Sequence, residues 1–424
     1  SFLAMAWATT VMLSWSASAE ETTTDETVRS LPPISVEATL PNNIRYTPGA
    51  ASILTDEEIK KLRPYTLHDA LEFKSGVHTL DDDVLGRRTG IGIRGAPTRR
   101  SRKTLLLEDG VPINASTYLD PSGHYTPPME RLEAVDILKG AGQIVHGPLN
   151  NHGVVNFRNI QPTEVPVTRV DLAGGDQNTF KRHFSHRRTE GPFGLVFSYT
   201  GFNADGVFDT EENQLDDIFV SGDWDVSNRH DIGLSFTYLR ERADGFDENN
   251  LSPAEFADNP RSKRALDEGR ELNNFSVNYW KVDFTHDFQV TDRLSVSSKF
   301  FRTDLDRPRF STRDRVPVSE TGEIGDPADG ELGDPTSGEL VMEGRDRKYE
   351  VHGIHSRAEL KGVRAFGMEH TFQAGIRWEQ HRFDDKRPIG RPGEVLDEKN
   401  RGTLRANEDD PDFTEDGRDT EFKA

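Results

Sequence analysis

The chain has 424 residues, a formal net charge of −21, no cysteine and a hydrophobic fraction of 33%. The charge argues against nucleic acid as a partner, and the lack of cysteine excludes disulfide bonds, thiolate metal ligands and cysteine nucleophiles from this sequence. A mean hydropathy of −0.70 is low for a soluble enzyme of this length, and 24 Phe, 8 Tyr and 5 Trp argue against overall disorder, so β-barrel strands that are apolar only at alternate positions fit the composition.

Residues 1–19 have the pattern of a secretory signal peptide. The apolar run from Phe2 to Trp15 is shorter than the ~20 residues that span a bilayer. It ends in Ala17-Ser18-Ala19, an A-x-A cleavage pattern followed by an acidic stretch. Because no initiator Met or basic region precedes the run, we expect the sequence to begin inside the signal peptide; a buried helix is the alternative.

Residues 20–43 form a polar arm that is expected to be disordered up to Pro33. A loose strand with an exposed backbone can pair with the edge of another protein's sheet. The β-prone pentapeptide of the arm is therefore either a recognition segment or the ordinary first strand of the next domain. It consists of Ile34, Ser35, Val36, Glu37 and Ala38.

Two short helices are predicted over residues 52–77. Residues 55–58 form a Thr-Asp-Glu-Glu capping box at the start of the first helix. Thr66 and Asp69 repeat the pattern at the start of the second helix, which is expected to end near Gly76. Both segments are interpreted as structural.

Residues 90–95 spell G-x-G-x-x-G, the pattern of a dinucleotide-binding loop. Such a loop must follow a strand and open a helix inside a βαβ unit. Here Pro97, a basic tract and a predicted strand over residues 104–107 follow instead, so the sequence argues against a nucleotide site. The basic tract consists of Arg99, Arg100, Arg102 and Lys103.

Three apolar blocks lie between residues 105 and 157. The first, LLLEDGVPI, is a strand that meets an Asp-Gly turn, which is a strong hairpin signal. The second begins after Pro127-Pro128 with a short helix or turn from Met129 and continues into the strand AVDILKG. The third, GVVNF, is a short buried strand that begins at Gly153, where the backbone must bend or approach another segment closely.

These blocks resemble the plug domain of TonB-dependent outer-membrane receptors. DGVPI, VDILKG and HGPLNNHGVVNF follow the order and spacing of the family pattern, which is roughly DGVPV…VEVLRGPASALYGSGAIGGVVNI. The resemblance covers about residues 34–162, and the segment GAGQIVHGP is most similar to the ferric dicitrate and siderophore receptor branch. It implies a globular α+β plug over residues 44–162.

The resemblance also implies a function for the arm. Residues 34–38 occupy the position of the family's TonB box, which the inner-membrane-anchored TonB protein captures as an added strand and pulls. TonB and its inner-membrane energising complex are therefore expected partners. Because no further domain fits between the signal peptide and the box, a role in transcriptional signalling is not expected.

Two loops of the plug are expected to face the ligand outside the cell. The resemblance places the basic tract at the ligand cavity, and arginine offers a fixed fork of donors for the carboxylates of an anionic iron chelate. Residues 114–124 form the second such loop. For the arginines, a solvated charged turn or ion pairs between plug and barrel are the alternatives. The candidate ligand-binding residues are Arg99, Arg100, Arg102 and Tyr118.

The sequence contains no recognisable enzyme motif. His183 and His186 form H-x-x-H, but they lie on a predicted strand without an acidic partner at metal-ligand spacing, so coincidence is preferred to a metal site. G-x-S-x-G, H-E-x-x-H and P-loop patterns are absent from the sequence. We therefore expect no catalysis, no metal ligands and no cofactor, the ferric chelate being transported cargo.

From about residue 165 apolar residues alternate with polar or small ones. A period of two, apolar outside and polar inside, is the pattern of a transmembrane β-barrel strand. A soluble β-sandwich with one solvated face is the alternative, and the signal peptide and the plug favour the membrane. The clearest cases are Ile232, Leu234, Phe236 and Tyr238, then Leu195, Phe197 and Tyr199, then Ile218, Val220 and Trp224, and then Phe372, Ala374, Ile376 and Trp378.

About nine strands are predicted in residues 163–424, near 166–174, 179–189, 193–203, 216–227, 230–241, 274–289, 292–304, 347–361 and 369–384. Long connections near 204–215, 242–273 and 305–346 alternate with short ones. Since bacterial barrels have short periplasmic turns and long outer loops, the first strand should run outward. Some cations of the long loops are expected to close over an anionic ligand, although solvated loops are the simpler interpretation. These cations are Arg242, Arg261, Lys263, Arg264, Arg307, Arg309, Arg313 and Arg315.

The chain is expected to be a fragment. Residues 386–424 are polar and acidic, like the start of another outer loop. The resemblance implies a barrel of about 22 strands, and fewer strands leave edges that lipid cannot satisfy. The expected fold is therefore mainly β, with an α+β plug inside a transmembrane antiparallel β-barrel of which residues 163–424 are the first part.

The resemblance thus implies a monomeric receptor in the outer membrane of a Gram-negative bacterium. It is expected to bind ferric citrate or another ferric siderophore and to import it into the periplasm with TonB-coupled energy. Outer-membrane lipid is a further expected partner. Import of cobalamin, haem or an oligosaccharide is the alternative within the family, and a passive porin, an adhesin or a soluble periplasmic enzyme is the alternative outside it.

Overall fold

The computed structural model describes residues 11–16, 50–81, 88–140, 146, 152–206, 211–245, 253–260, 273–316, 339–390 and 414–423. The predicted TonB box, residues 34–38, lies outside these ranges, as do the predicted loop cations in residues 261–272. β1 (Val11–Ser16) falls within the predicted signal peptide and pairs with the first long strand of the chain. This pairing does not test the signal-peptide prediction.

The plug contains two short helices and two sets of strands. Its elements are β2 (Ala50–Thr55), α1 (Asp56–Leu62), α2 (Leu67–Leu71), β3 (Val77–Asp81), β4 (Thr89–Ile93), β5 (Leu105–Glu108), β6 (Val111–Pro112), β7 (Leu132–Lys139) and β8 (Val154–Asn159). Five strands form a sheet in the order β2-β7-β8-β5-β6, in which only β5 and β8 are parallel, and β3 pairs with β4. In the described ranges no helix is long and apolar enough to cross a membrane.

Side-chain caps begin both helices, as predicted. The Thr55 hydroxyl accepts a hydrogen bond from the backbone N–H of Glu58 at 3.3 Å, and the Glu58 carboxylate accepts one from the N–H of Thr55 at 3.0 Å. Thr66 and Asp69 form the same reciprocal pair. The prediction missed β2 because its sequence, AASILT, has no alternation of apolar and polar residues.

The Asp-Gly turn closes the predicted hairpin between β5 and β6. Asp109 has a φ of 49° and Gly110 a φ of 80°. Two successive residues with positive φ are typical of the type I′ turn, whose twist fits a two-residue hairpin. The hairpin places two buried carboxylates, those of Glu108 and Asp109, at its tip.

The glycines of the G-x-G-x-x-G pattern permit close backbone packing. A Cβ on Gly90 would lie 2.5 Å from the carbonyl oxygen of Thr98, and a Cβ on Gly92 would overlap the carbonyl oxygen of Ala96. The chain folds back over β4 through a 3-10 turn at Arg99–Ser101, and no βαβ helix follows in this part of the structure. The arrangement agrees with the rejection of a nucleotide-binding loop.

Nine long antiparallel strands follow the plug, as predicted. They are β9 (Val167–Gly174), β10 (Phe180–Glu190), β11 (Phe193–Ala204), β12 (Glu212–Ser227), β13 (His230–Asp244), β14 (Asn274–Gln289), β15 (Leu294–Val316), β16 (Glu339–Ala365) and β17 (Met368–Gly390), and β18 (Thr414–Lys423) follows them. Each pairs with the next, and β1 lies beside β9. Within the described residues β1 and β18 do not pair, so this barrel sheet (β9–β18) is open. A short helix, α3 (Pro253–Asp258), lies between β13 and β14.

Several strands extend further than the sequence predicts. Residues 305–346 are predicted as a loop, but β15 continues to Val316 and β16 begins at Glu339. Backbone pairing continues here although both faces carry polar residues, so the alternation that marks the rest of the strand is lost. The loop prediction is therefore wrong for the cations that lie on strands, namely Arg242, Arg307, Arg309, Arg313 and Arg315.

The same correction applies to the end of the chain. Residues 386–424 are predicted as the start of an outer loop, but β17 runs to Gly390 and residues 414–423 form β18. The ladder pairs Ile389 with Thr414 and Gln380 with Lys423. Strand pairing again forms from polar sequence that shows no apolar face.

The two ends of the barrel sheet differ in their connections. Two-residue turns at 191–192, 228–229 and 366–367 join strands at one end, which we call the inner end. The connections at the opposite end, the outer end, are longer. This alternation of short and long connections is the one predicted.

The two faces of the barrel sheet follow the predicted alternation. Leu234 and Phe236 are 56% and 42% exposed, whereas Thr237 on the opposite face is fully buried. Leu195 and Phe197 on β11 are likewise exposed, with Val196 buried between them. The outward face is therefore apolar, and the inward face meets the plug.

The plug and the barrel sheet share one apolar core. Phe157 of the plug belongs to the same buried cluster as Phe275 and Leu305 of the long strands. Tyr125 of the plug and Tyr279 of β14 are stacked with ring centroids 3.9 Å apart. The plug is thus packed against the inward face of the sheet by side chains from several strands.

Replacing Gly92 with Ala is expected to destabilise the plug, because the new Cβ overlaps the Ala96 carbonyl oxygen and overpacking of this kind costs about 1–3 kcal/mol. The measurement is the rate at which trypsin cleaves the plug of the folded protein, which should rise. Gly174→Ala is the control, because the nearest neighbour of its Cβ lies at 3.9 Å. Equal cleavage rates in the two variants would contradict the prediction.

Candidate functional site

A buried guanidinium joins the plug to the barrel sheet. Arg131 is fully buried, and its Nη1 lies 2.9 Å from Oε1 of Glu108 at the hairpin tip. Its Nε donates to Oδ1 of Asp217 on β12 at 2.8 Å, and its Nη2 donates to the Tyr125 hydroxyl at 2.6 Å. One plug side chain therefore pairs with carboxylates from both units.

Two lysines of the barrel sheet contact the same hairpin. Lys281 on β14 has its Nζ 3.4 Å from Oε1 of Glu108 and 3.3 Å from Oδ2 of Asp283. Lys299 on β15 donates to the backbone carbonyl of Asp109 at 2.6 Å. Cations and acids therefore alternate in what we call the ionic layer, which consists of Arg131, Lys281, Lys299, Glu108, Asp109, Asp217 and Asp283.

The ionic layer keeps its plug groups charged. Burial by itself raises the pKa of Glu108, but Lys281 and Arg131 outweigh burial and hold that pKa well below its usual range. Burial also opposes the charge of Arg131, yet Asp217 and Glu108 help to raise its pKa well above the ordinary value. The stability that Glu108 contributes is present above its unfolded pKa of about 4.5 and is lost as the pH falls toward the lowered folded value.

A second charged layer lies nearer the outer end. Its central residue is His124 in the outer plug loop (residues 113–128), which is buried. Arg307 belongs to this layer and lies further toward the outer end of β15 than Thr303, the residue paired with Lys281. We call it the cation layer, and its members are His124, Arg88, Arg100, Arg307 and Arg347.

The charges that act most strongly on His124 are positive. Burial lowers the pKa of His124 well below its usual range, and the charges of the four surrounding arginines lower it further, with Arg307 acting most strongly among them. No carboxylate of the described residues is among the groups with the largest effect. The imidazole is therefore neutral at neutral pH.

Arg307 has no counter-ion in the described part of the chain. It is 2% exposed, and its Nε and Nη1 have no hydrogen-bond partner among the described residues. Its Cζ lies 5.2 Å from the ring centroid of Phe275. Leaving a buried charge unpaired is costly, so this guanidinium marks a position where an anion would complete the structure.

Two other arginines of the cation layer are held by acids of the strands. Arg88 Nε lies 3.4 Å from Oε1 of Glu241 on β13. Arg347 Nε lies 3.0 Å from Oδ1 of Asp385 on β17. These pairs fix the positions of two guanidinium groups around Arg307, for which the described ranges contain no such pair.

The structure brings one of the four predicted ligand residues into the cation layer. Arg100 is half-buried and has a φ of 55°, whereas Arg99 and Arg102 are exposed. Tyr118 is half-buried, with its ring edge-on to His381 at a centroid distance of 4.6 Å, and burial raises its pKa. Ligand contacts by these four residues remain predictions.

His183 and His186 do not share a site. Residues three apart on a strand point to opposite faces, and each imidazole has its own partner. His183 Nδ1 lies 2.9 Å from the Thr200 hydroxyl, and His186 Nδ1 lies 2.8 Å from the Thr168 hydroxyl. Among the described residues no group of three His, Cys, Asp or Glu side chains is arranged to hold a metal ion.

Sequence reasoning missed His124 and Arg131, and it listed Arg307 among the candidate cations but assigned it to a loop rather than to a buried position on β15. Arg131 reaches Asp217 across 86 positions of the chain, and no local pattern reports such a contact. For Arg307 the alternation of inward and outward positions along β15 could have predicted its burial. Lys299 and Arg307 both occupy odd positions on β15 and are both buried, so extending the alternation beyond the apolar segment places Arg307 on the inward face.

Comparisons with known proteins give a family for the plug. Residues 43–154 match the model of the TonB-dependent receptor plug domain. The chain is 24% identical over 269 residues to the ferrichrome outer membrane transporter/phage receptor of Escherichia coli K12, covering 60% of this chain and 34% of that protein. It is 25% identical over 200 residues to the ferric enterobactin receptor PirA of Pseudomonas aeruginosa, covering 42% of this chain and 26% of that protein. The chain spans about a third or less of the length of these curated relatives.

The solved structures support the same architecture. The ferric citrate transporter FecA in its unliganded form superposes with a TM-score of 0.70 at 19% identity, covering 88% of this chain and 51% of that chain. The pyoverdine outer membrane receptor FpvA of Pseudomonas aeruginosa PAO1 superposes with a TM-score of 0.62 at 14% identity, covering 80% of this chain and 47% of that chain. At these identities the likeness shows the fold, a plug packed inside the strands of a partial barrel.

Replacing Arg131 with Met should loosen the plug, because Glu108 and Asp217 lose a buried partner. Breaking a buried ion pair in this way costs about 3–5 kcal/mol. The measurement is the urea concentration at which the plug becomes sensitive to protease, which should fall. Arg131→Lys keeps the positive charge but loses the planar guanidinium with its fixed set of donors. The urea concentration should therefore fall less in this variant.

A double variant distinguishes loss of the Arg131–Asp217 ion pair from nonspecific destabilisation. If Arg131 and Asp217 interact as described, Arg131→Met with Asp217→Asn should be less destabilised than the sum of the two single variants. Strictly additive losses would contradict the pairing.

Proposed function

We propose that this chain, a TonB-dependent receptor by its plug domain and its fold, is part of an outer-membrane receptor that binds an anionic ferric chelate outside the cell and imports it into the periplasm. Ferric citrate or another carboxylate siderophore is the proposed cargo. The observation that carries this proposal is the cation layer on the outer side of the plug, because it holds a buried guanidinium that has no counter-ion among the described residues.

A chelate that presents carboxylates fits the chemistry of the cation layer. Arg307 offers Nε and Nη1 as free donors within the described structure, and a guanidinium can hold a carboxylate through two parallel hydrogen bonds. The Nε2 atom of His124 also has no hydrogen-bond partner among the described residues. Such contacts are stronger in a protein interior than in water.

Binding an anion would also relieve a cost within the protein. The arginines around His124 repel one another, and the burial of Arg88 and Arg307 limits the water that would screen their charges. A ligand with several negative charges supplies the missing compensation. Part of the binding energy would therefore come from relief of this repulsion, and removing a cation should weaken binding without weakening the fold.

Import requires the plug to move, because it is packed into the core that it shares with the barrel sheet. We propose that TonB supplies the force through residues 34–38, as the family resemblance implies. Ligand binding at the outer side would shift the population of the box at the inner side, which requires a ligand that prefers one state. The energising complex of the inner membrane and the lipid of the outer membrane are the other proposed partners.

The charge of the site discriminates between cargoes. A neutral oligosaccharide would add no counter-ion for Arg307, which has none among the described residues, so it fits less well than a carboxylate ligand. Haem, whose propionates are carboxylates, is the second candidate for the same reason. A passive porin is disfavoured because the plug packs against the inward face of the strands.

Arg307→Met should weaken the binding of ferric citrate by about 10- to 100-fold, because a hydrogen bond to a charged group contributes about 1.5–3 kcal/mol. Thermal stability should stay equal or rise, since the variant removes a buried charge that no described residue pairs. The measurement is titration calorimetry on the complete receptor in detergent, together with its melting temperature.

Arg302→Gln on the same strand is the matched control. Arg302 is 52% exposed, and a cross-strand carboxylate lies 3.9 Å away. This variant should bind ferric citrate like the unmodified protein. Equal losses of affinity in both variants, or a loss of stability in Arg307→Met, would count against the proposed site.

Deleting residues 34–38 should abolish uptake of radioactive iron from ferric citrate while leaving binding unchanged, because the box would transmit force and not contact the ligand. Deleting residues 22–26 of the same arm is the length-matched control and should leave uptake intact. Uptake that survives the first deletion would remove energy coupling from the proposal.

A further inference from the structure

The plug contributes a carboxylate of its own to the wall of the cation layer. Asp120 in the outer plug loop accepts a hydrogen bond at Oδ2 from the Tyr349 hydroxyl at 2.7 Å. The same oxygen lies 3.6 Å from Nη1 of Arg347. Tyr349 in turn lies beside His124, with ring centroids 6.2 Å apart. A plug acid thus occupies donors that border the buried His124 and Arg307.

The donors that Asp120 occupies do not depend on it for their position. Arg347 is held by Asp385 through two hydrogen bonds, at 3.0 Å from Nε and 3.4 Å from Nη2. The Tyr349 ring is stacked on Phe383 with centroids 4.8 Å apart. Both donors would therefore remain in place if Asp120 left, and another carboxylate could use them.

Asp120 also organises the tip of the outer plug loop. Its Oδ1 accepts a hydrogen bond from the Ser122 hydroxyl at 2.7 Å, and its backbone carbonyl accepts from the N–H of Ser116 at 3.1 Å. The loop is anchored separately to β17, where the Ser116 hydroxyl and Nδ1 of His381 are 3.0 Å apart. Losing the contacts of the Asp120 carboxylate would free the loop from β16 while β17 still holds it.

On the basis of the proposed function, we propose that Asp120 is a specificity-determining residue. Its carboxylate holds the Tyr349 and Arg347 donors, an incoming ligand carboxylate takes them in exchange, and the exchange releases the outer plug loop from β16. No bond is made or broken other than hydrogen bonds and ion pairs. Asp120 and the ligand are thus alternative anions for one set of donors.

Two consequences follow from this competition. A neutral ligand cannot displace Asp120, because it offers no charge to replace the one that leaves. An anionic ligand binds less tightly than its contacts allow, because the donors are occupied for part of the time. A negatively charged ligand therefore releases the outer plug loop from β16, and a neutral ligand does not. Asp120 is the residue that imposes this requirement for negative charge.

The first test needs no ligand. The chain contains no cysteine, so Leu119→Cys introduces a single reporter thiol at the half-buried tip of the loop. Adding Asp120→Asn should increase the rate of maleimide labelling by about threefold or more, because the loop opens more often. Glu57→Gln, on an exposed residue of α1, removes the same charge elsewhere in the plug and should leave the rate unchanged.

The second test measures ferric citrate binding by titration calorimetry on the complete receptor. Asp120→Asn should bind about three- to tenfold more tightly than the unmodified protein, the range expected when a competitor that usually holds the donors is removed. In the unmodified protein, ferric citrate should also increase the labelling of Leu119→Cys. Tyr349→Phe should label faster but bind no more tightly, because it removes the donor from both anions.

The outcomes separate the two proposals. Unchanged labelling in Asp120→Asn, or labelling that rises with weaker binding, overturns the role of Asp120. A failure of the unmodified protein to bind ferric citrate counts against the proposed cargo, and the labelling of Asp120→Asn still decides whether its carboxylate holds the loop. A melting temperature equal to that of Glu57→Gln shows that the variant is folded.

Discussion

The burial of Arg131 constrains the rest of the structure. A guanidinium that is removed from water must find its counter-charges at fixed positions, and here they come from the plug hairpin at Glu108 and from β12 at Asp217. Lys281 completes the arrangement from β14. If one of these groups moves, the others lose a buried ion pair. The plug therefore has a single position inside the barrel sheet in which all of these ion pairs form. Strand register, hairpin geometry and plug position are therefore fixed together.

The cation layer differs from the ionic layer in how its buried cations are compensated. In the ionic layer carboxylates from both units alternate with the cations, whereas around His124 the strongest charges are all positive. Both layers lie in the same interior, so the difference reflects which charges the described residues provide at each level. Within the described ranges Arg131 is paired with two carboxylates, whereas Arg307 is paired with none. The proposed anionic cargo would supply the compensation that the described residues do not, which connects the proposal to the fold.

Local chemistry in the sequence predicts much of the fold. Capping boxes at Thr55 and Thr66, the Asp-Gly turn and the alternation at Leu234 and Phe236 all depend on neighbouring residues, and each is confirmed. The strand ends are predicted less well, because beyond the apolar segment polar residues occur on both faces of β15 and β16 while the backbone ladder continues. The site is the least predictable part. Arg307 is interpreted as a loop residue and His124 is not singled out, since their importance lies in contacts between distant segments.

The alternation of inward and outward residues along a strand allows part of the site to be predicted from the sequence. Once the inward face of β15 is fixed by Lys299, every second residue toward the outer end must face the interior until the ladder breaks. Arg307 satisfies this condition, and its cross-strand neighbour Arg347 does so on β16. Two arginines paired across an interior ladder repel each other, so their presence requires negative charge nearby. Asp385 and Asp120 supply it for Arg347, which leaves Arg307 as the cation for which the described chain provides no acid. Charges at inward positions beyond the apolar segment are therefore the residues from which a ligand site in such a barrel should be inferred.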